Sequence, residues 1–211
     1  MALLNESEQR QVGDAITRIE RDTDAEVVTV LARQADDYTY IPLLWAGLTA
    51  LIVPGALSVI ANWLGWLDGV SAWYLLLVQW LVFIVLAVVF RLPSILTRLI
   101  PRHVRFWRAS NLARRQFLEQ NLHHTDAGTG MLIFVSEAER YVEIIVDRGI
   151  SAQLSDDTWQ SIVEAFTARV KAGETLQGFL DCIESCGDLL KTHVPATHER
   201  NELPNRLVVL D

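Results

Sequence analysis

Two uncharged runs flanking Asp68 constrain this chain more than any other feature. Between Asp37 and Arg91 the one charged residue is Asp68, which leaves runs 41–67 and 69–90 without charge. Each run exceeds the roughly 20 residues that a membrane-spanning helix needs. The pattern predicts two spans, 43–61 and 73–90, joined by a short turn around Asn62–Ala72. Trp63, Trp66, Trp73 and Tyr74 crowd that turn, and Trp45 sits near the other end. Amphipathic rings favour the headgroup level, so these residues read as an interfacial belt. Hydrocarbon offers no partner for backbone groups, so both runs are expected to be helical. Pro54–Gly55 is expected to kink the first. The alternative reading is a helical hairpin buried in a large soluble core.

The flanks set the orientation. Arg91, Arg98, Arg102, Arg105, Arg108, Arg114 and Arg115 follow the second run with no acid among them. The positive-inside rule then places this flank, and with it both termini, in the cytoplasm. Arg91, Arg98, Arg102, Arg105 and Arg108 are expected to lie at the membrane surface, where anionic headgroups are a nearer partner than nucleic acid. The first 20 residues are polar and acidic, unlike a signal peptide, so the first span is expected to act as the targeting signal.

Outside 41–92 the chain suffices for one soluble domain with its own core. Residues 1–40 hold nine acids and four bases, and residues 116–211 hold sixteen acids and seven bases, against one acid and seven bases in 41–115. The soluble part is acidic and the juxtamembrane part basic, which draws one region to the bilayer and repels the rest. Asn5 followed by Glu8 reads as a capping box before the apolar spacing Val12, Ile16, Ile19. Glu26–Ala32 is β-branched and nearly continuous, as in a strand buried on both faces. After the spans come a helix over 108–122, strands over 131–135 and 141–146, a helix capped by Ser155 and closed by Gly173, and a last helix to His193. Leu207–Leu210 is expected to dock as an extended tail. Cys182 and Cys186 lie on one helical face and are expected to be reduced and to serve packing, a redox or metal pair being the alternative.

The order is helix, strand, membrane hairpin, helix, strand, strand, helix, helix. One strand before the hairpin needs the sheet after it, so the hairpin reads as an insertion into one α/β domain. The expected organisation is 1–40 as the first part of that domain, 41–92 as the transmembrane hairpin, 93–107 as a basic juxtamembrane segment, 108–195 as the second part and 196–211 as a tail.

Particular motifs then resemble the TPM-domain family. They are Asp24-Ala25-Glu26-Val27-Val28, Gly130-Met131-Leu132-Ile133-Phe134-Val135, Arg140-Tyr141-Val142-Glu143-Ile144, Gly149, and Leu154-Ser155-Asp156-Asp157. Asp147-Arg148-Gly149-Ile150 and Asn201-Glu202-Leu203-Pro204 resemble its bacterial membrane subgroup, in which a hairpin interrupts the domain. The resemblance implies a three-layer α/β/α sandwich with a small mixed sheet, here in a bacterial inner membrane. It also implies links to phosphatase activity, calcium binding and assembly or repair of membrane complexes, with LemA-type membrane proteins as candidate partners.

Strand direction sorts the polar residues by end. A strand–crossover–strand unit makes 26–32 parallel to 131–135, and 141–146 returns antiparallel. The near end, where the chain enters the hairpin, then holds Arg33, Asp36, Asp37, Glu137, Glu139 and Arg140. Glu139 and Arg140 read as an ion pair or a cap on the turn, with a partner contact as the alternative. The far end collects Asp22, Asp24, His123, His124, Asp126, Asp147, Asp156 and Asp157. Asp147, Asp156 and Asp157, with Asp126 and Asp24, are the candidate ligands for Ca or Mg, hard cations that take oxygen donors. Such an ion would polarise a phosphoryl oxygen for hydrolysis. The competing roles are structural: Asp156 and Asp157 suit a helix N-terminus and Asp24 suits a turn. The chain has no His-Glu-x-x-His, phosphate-cradling Gly-rich loop or Gly-x-Ser-x-Gly elbow. Two functions follow: a membrane-tethered interaction or assembly module, and a Ca- or Mg-dependent phosphatase.

Overall fold

Asn5 opens helix α1, Glu6–Glu20, through a reciprocal capping box. Its Oδ1 accepts from the Glu8 N–H at 2.9 Å, while its own N–H donates to the Glu8 carboxylate at 2.7 Å. The chain turns at Arg21 and enters β1, Glu26–Ala32, every residue of which is buried. Helices α2, Tyr40–Trp63, and α3, Ala72–Val89, follow. Helix α4, Arg102–Glu119, leads through a 3-10 turn into β2, Gly130–Ser136, and β3, Tyr141–Val146. A single helical turn α5, Arg148–Ser151, precedes α6, Asp156–Ala172, α7, Thr175–His193, and strand β4, Leu207–Leu210. The computed structural model describes residues 4–66, 71–92, 95, 100–125, 127–197 and 203–210.

The chain divides into two units, Met1–Asp36 with Arg105–Asp211, and Asp37–Val104. In the first unit the sheet order is β3-β2-β1-β4. β1 runs parallel to β2, with Glu26 opposite Gly130 and Ala32 opposite Ser136, and β3 returns antiparallel. The tail is a true fourth strand, parallel to β1 with Leu207 opposite Thr29. One face of the sheet carries Val27, Leu31, Met131, Ile133 and Val135 against α1, α6 and α7. Phe166 and Phe179 meet edge to face at 4.9 Å in that layer. The other face carries Val28, Val30, Leu132 and Phe134 against Ala109, Leu112 and Ala113 of α4. The result is the expected three-layer α/β/α sandwich with a small mixed sheet.

Two expectations need correction. The helix expected over 108–122 starts earlier, at Arg102 directly after Pro101, so part of the expected 93–107 linker is helical. Ser155 occupies the N-cap position of α6, but its hydroxyl makes no cap hydrogen bond and lies 3.3 Å from the Thr158 hydroxyl. Cys182 and Cys186 are free and buried, with sulfurs 3.9 Å apart. Contact with Cys182, then burial, hold the Cys186 thiol well above the usual range, as befits an inert packing residue.

In the second unit α2 has 24 residues, about 36 Å of helix, and continues through Pro54. It is long and apolar enough to cross a membrane. α3 has 18 residues, about 27 Å, a little less than a hydrocarbon core. α2 packs on α3 along a line of small residues, with Ala46 and Ala50 buried and Gly47 against Phe83. The remaining large apolar side chains of both helices, from Leu44 to Val88, are mostly exposed.

Glu20 closes α1 with a carboxylate turned inward. It accepts from the Val27 N–H at 2.8 Å. Burial, reinforced by repulsion from Glu26, pushes its pKa up to about 8 against the opposing hydrogen bonds of Val27 and Asn205. Glu26, itself buried, accepts from the Leu203 N–H at 3.1 Å at the start of the tail. Glu20 is thus protonated in the fold at neutral pH and ionised in the unfolded chain. Its contribution is fully present below about pH 4.5 and is lost as pH rises toward 8. Denaturation of wild type and Glu20→Gln across this window is expected to show the variant gaining relative stability steadily between pH 5 and 8. A constant difference would contradict the buried proton.

Candidate functional site

At the near end of the sheet the turn after β2 folds back over the end of β1. Glu137 N–H donates to Ala32 O and Ala138 N–H to Arg33 O, each at 3.0 Å, while Arg33 N–H donates to Leu210 O at 2.9 Å. Glu139 sits inside this crossing, 4% exposed. One of its oxygens accepts from the Ala35 N–H at 3.2 Å and from the Ser136 hydroxyl. Glu137 accepts from the Thr175 hydroxyl at 2.9 Å, tying the turn to α7. Asp36 pairs with Arg108 at 3.1 Å, tying the same stretch to α4. The last residues of the domain before the hairpin are therefore held from three directions.

Glu139 accepts these two donors at the crossing. The ion-pair reading is corrected: Arg140 makes no salt bridge to Glu139 among the described residues. Arg140 is exposed and takes a left-handed backbone, φ 52°, to complete the turn. Its backbone N–H donates to Glu137 O at 3.1 Å.

The far end places Asp24 and Asp147 on either side of Gly130. Asp24 precedes β1, whose Glu26 pairs with Gly130, and the Asp147 N–H donates to Gly130 O at 2.8 Å. Their carboxylates have local tasks. Asp24 accepts from the Thr197 N–H at 2.9 Å and from the Thr197 hydroxyl, which pins the chain after α7. Asp147 accepts from the Arg148 N–H at 2.7 Å and caps α5. Asp22 pairs with Lys191 at 2.7 Å. Asp157 is exposed at the start of α6, and the rings of His123 and His124 lie 4.0 Å apart on the surface. Asp126 and the side chain of Asp156 lie outside the described residues, as does Arg98. Among the described residues no three His, Cys, Asp or Glu side chains gather as a cation site.

What the far end does show is close backbone packing. A Cβ on Gly130 would strike the Leu122 carbonyl, and one on Gly149 would come 2.5 Å from Ala127 O. Both positions require a bare backbone, which gives these motif glycines a physical reason.

A further polar cluster escapes a reading of the sequence. Glu143 accepts from the Ser110 hydroxyl at 3.2 Å and the Tyr141 hydroxyl at 3.0 Å. Burial raises the Glu143 carboxyl, and burial with the nearby Glu143 pushes Tyr141 up to about 12. Phe106 lies against Tyr141 at 5.4 Å. The alternation of Tyr141 and Glu143 was the available signal, but only the placement of α4 brings Ser110 to them. The cluster staples α4 to the edge strand β3. The deprotonated phenolate that base catalysis requires is disfavoured there.

This architecture, a parallel β1–β2 pair with an antiparallel β3 between helical layers, defines the class. Residues 104–189 match the family model of the TPM domain. The chain carries a match to the TPM domain over that segment. The NMR structure of BA42 protein from the psychrophilic bacterium Bizionia argentinensis superposes with a TM-score of 0.59 at 19% identity. The match covers 98% of this chain and 94% of that one, and at this identity the likeness is one of fold. No curated protein matches the sequence.

Glu139→Ala leaves two donors without their carboxylate and is expected to lower stability by about 2 kcal/mol. Arg140→Gly is expected to stay within about 1 kcal/mol, because glycine accepts the left-handed backbone. Gly149→Ala is expected to cost about 1–3 kcal/mol through overpacking. Denaturant melts of the three variants check this ranking, and a larger loss at Arg140 than at Glu139 would refute the capping role.

Proposed function

We propose that this protein is a membrane-anchored TPM-domain module that helps assemble or maintain membrane protein complexes. In this reading α2 and α3 form a transmembrane hairpin in a bacterial inner membrane, with spans 43–61 and 73–90 and both termini cytoplasmic. The observation that carries it is the exposure of apolar side chains along both helices, with Val59 at 70% and Val88 at 65%. A contiguous apolar surface of that kind is far beyond what a soluble monomer presents. The α/β unit meanwhile closes its own two-faced core. The basic flank supports the cytoplasmic orientation. Exposed Arg140 offers a contact for a partner such as a LemA-type membrane protein.

A second reading, a Ca- or Mg-dependent phosphatase, draws on the placement of Asp24 and Asp147 on either side of Gly130. Asp126, Asp156 and Asp157 complete its candidate ligands. Calorimetric titration of the full chain with calcium separates the two. Micromolar binding lost in Asp147→Asn would favour the phosphatase, and a folded protein that takes no calcium would remove it.

Topology has its own test. Ser71→Cys is expected to react with a membrane-impermeant maleimide in intact cells, and Ser151→Cys only after permeabilisation. The reverse pattern would overturn the orientation, and release of the chain from membranes by alkaline carbonate would overturn the anchor.

A further inference from the structure

The outward face of α4 is unlike the surface of an ordinary soluble helix. Ala109, Leu112, Ala113 and Gln116 turn inward to the sheet. Trp107, Asn111, Arg114 and Leu118 follow one another at helical spacing along the opposite side, with Arg115 next to them. Trp107 is 59% exposed and Leu118 55%. Large apolar side chains therefore stand in solvent among charges of one sign. Glu119, in the last position, is the one acid of the helix, against Arg102, Arg105, Arg108, Arg114 and Arg115. Two of these charges also meet partners in the protein, Arg115 in an exposed pair. Arg108 pairs with Asp36 and lies over the Trp107 ring at 5.1 Å, and Arg115 lies 3.6 Å from Glu119. Arg114 acts on Glu143 and Tyr141 from a distance but remains exposed.

A Trp and a Leu flanked by arginines, on a helix whose other side is buried, fit an anionic lipid surface. Indole favours the headgroup level, and arginine binds phosphate while its stem lies along apolar matter. Charge complementarity points the same way, because the chain is acidic as a whole and this helix is its basic element. We propose that the outward face of α4 lies on anionic phospholipid headgroups, with Trp107 and Leu118 inserted and Arg114 and Arg115 on lipid phosphates. This rests on the membrane-anchored reading and adds a second, in-plane attachment to the spanning one. It makes α4 the contact layer between the sheet and the bilayer and leaves the layer of α1, α6 and α7 for protein partners.

The full chain, reconstituted in nanodiscs of phosphatidylcholine alone or mixed with phosphatidylglycerol, provides the test. Nitroxide labels at Asn111→Cys and Val85→Cys report collisions with oxygen and with a water-soluble nickel chelate, and Gln160→Cys is the solvent-facing reference. The buried native cysteines stay unlabelled. Expected is nickel protection at residue 111 that appears with phosphatidylglycerol and falls by about fivefold for each of Arg114→Gln and Arg115→Gln. Residue 160 should remain open throughout. A label at 111 that is as open as that at 160 in both discs, while the label at 85 is lipid-protected, overturns the inference and leaves the anchor intact. Protection at 111 that appears only when an acidic membrane protein is added assigns the face to that protein and likewise overturns it. An open label at 85 would show instead that the anchor itself is wrong.

Discussion

The parallel pairing of β1 with β2 is the interaction on which the rest of this structure depends. The two strands run side by side from Glu26 opposite Gly130 to Ala32 opposite Ser136, so their ends lie at opposite edges of the domain. A parallel pair cannot be joined by a tight turn and needs a crossover. Here the crossover contains α2, α3 and α4, and the long apolar insertion occupies a connection that the topology already makes long. Burial of β1 and β2 on both faces follows, because helices must cover each side of a parallel pair. β4 and β3 then close the two edges.

Several carboxylates in this domain serve the backbone. Glu20 meets Val27, Glu26 meets Leu203, Glu139 meets Ala35, Asp24 meets Thr197 and Asp147 meets Arg148. Each fixes a place where the chain changes direction: the end of α1, the tail, the exit from β1, the segment after α7 and the end of β3. Unpaired N–H groups at such places are costly when buried, and an acidic side chain satisfies them. The same residue type can hold a cation only where several oxygens converge on one point. These five carboxylates are spread around the rim of the sheet, each on a backbone donor.

Charge is also arranged by layer. The helix that covers one face of the sheet is basic, while the strand ends and the helices on the other face carry many of the acids. The clasp of Glu139 on Ala35, with Asp36 on Arg108, restrains the chain where it leaves β1.

The sequence by itself determined most of the elements and their order, the turn of helix after β3 and the pairing of the tail as a strand excepted. Uncharged runs, a capping box at Asn5 and Glu8, continuous β-branched strands and the left-handed Gly173 each depend on residues close together in the chain. It also fixed the directions of three strands, because crossovers and hairpins leave few choices. Tertiary structure alone decided where the polar side chains went. The meeting of Glu139 with Ala35, of Glu143 with Ser110, and of Asp24 with Thr197 joins residues remote in sequence. The sequence placed Asp24 and Asp147 at one end of the sheet, and the structure agrees. It could not reveal the donors that each meets, Thr197 for Asp24 and Arg148 for Asp147. Position along a strand follows from periodicity, whereas a hydrogen-bond partner follows from a few ångströms of packing that no periodicity encodes.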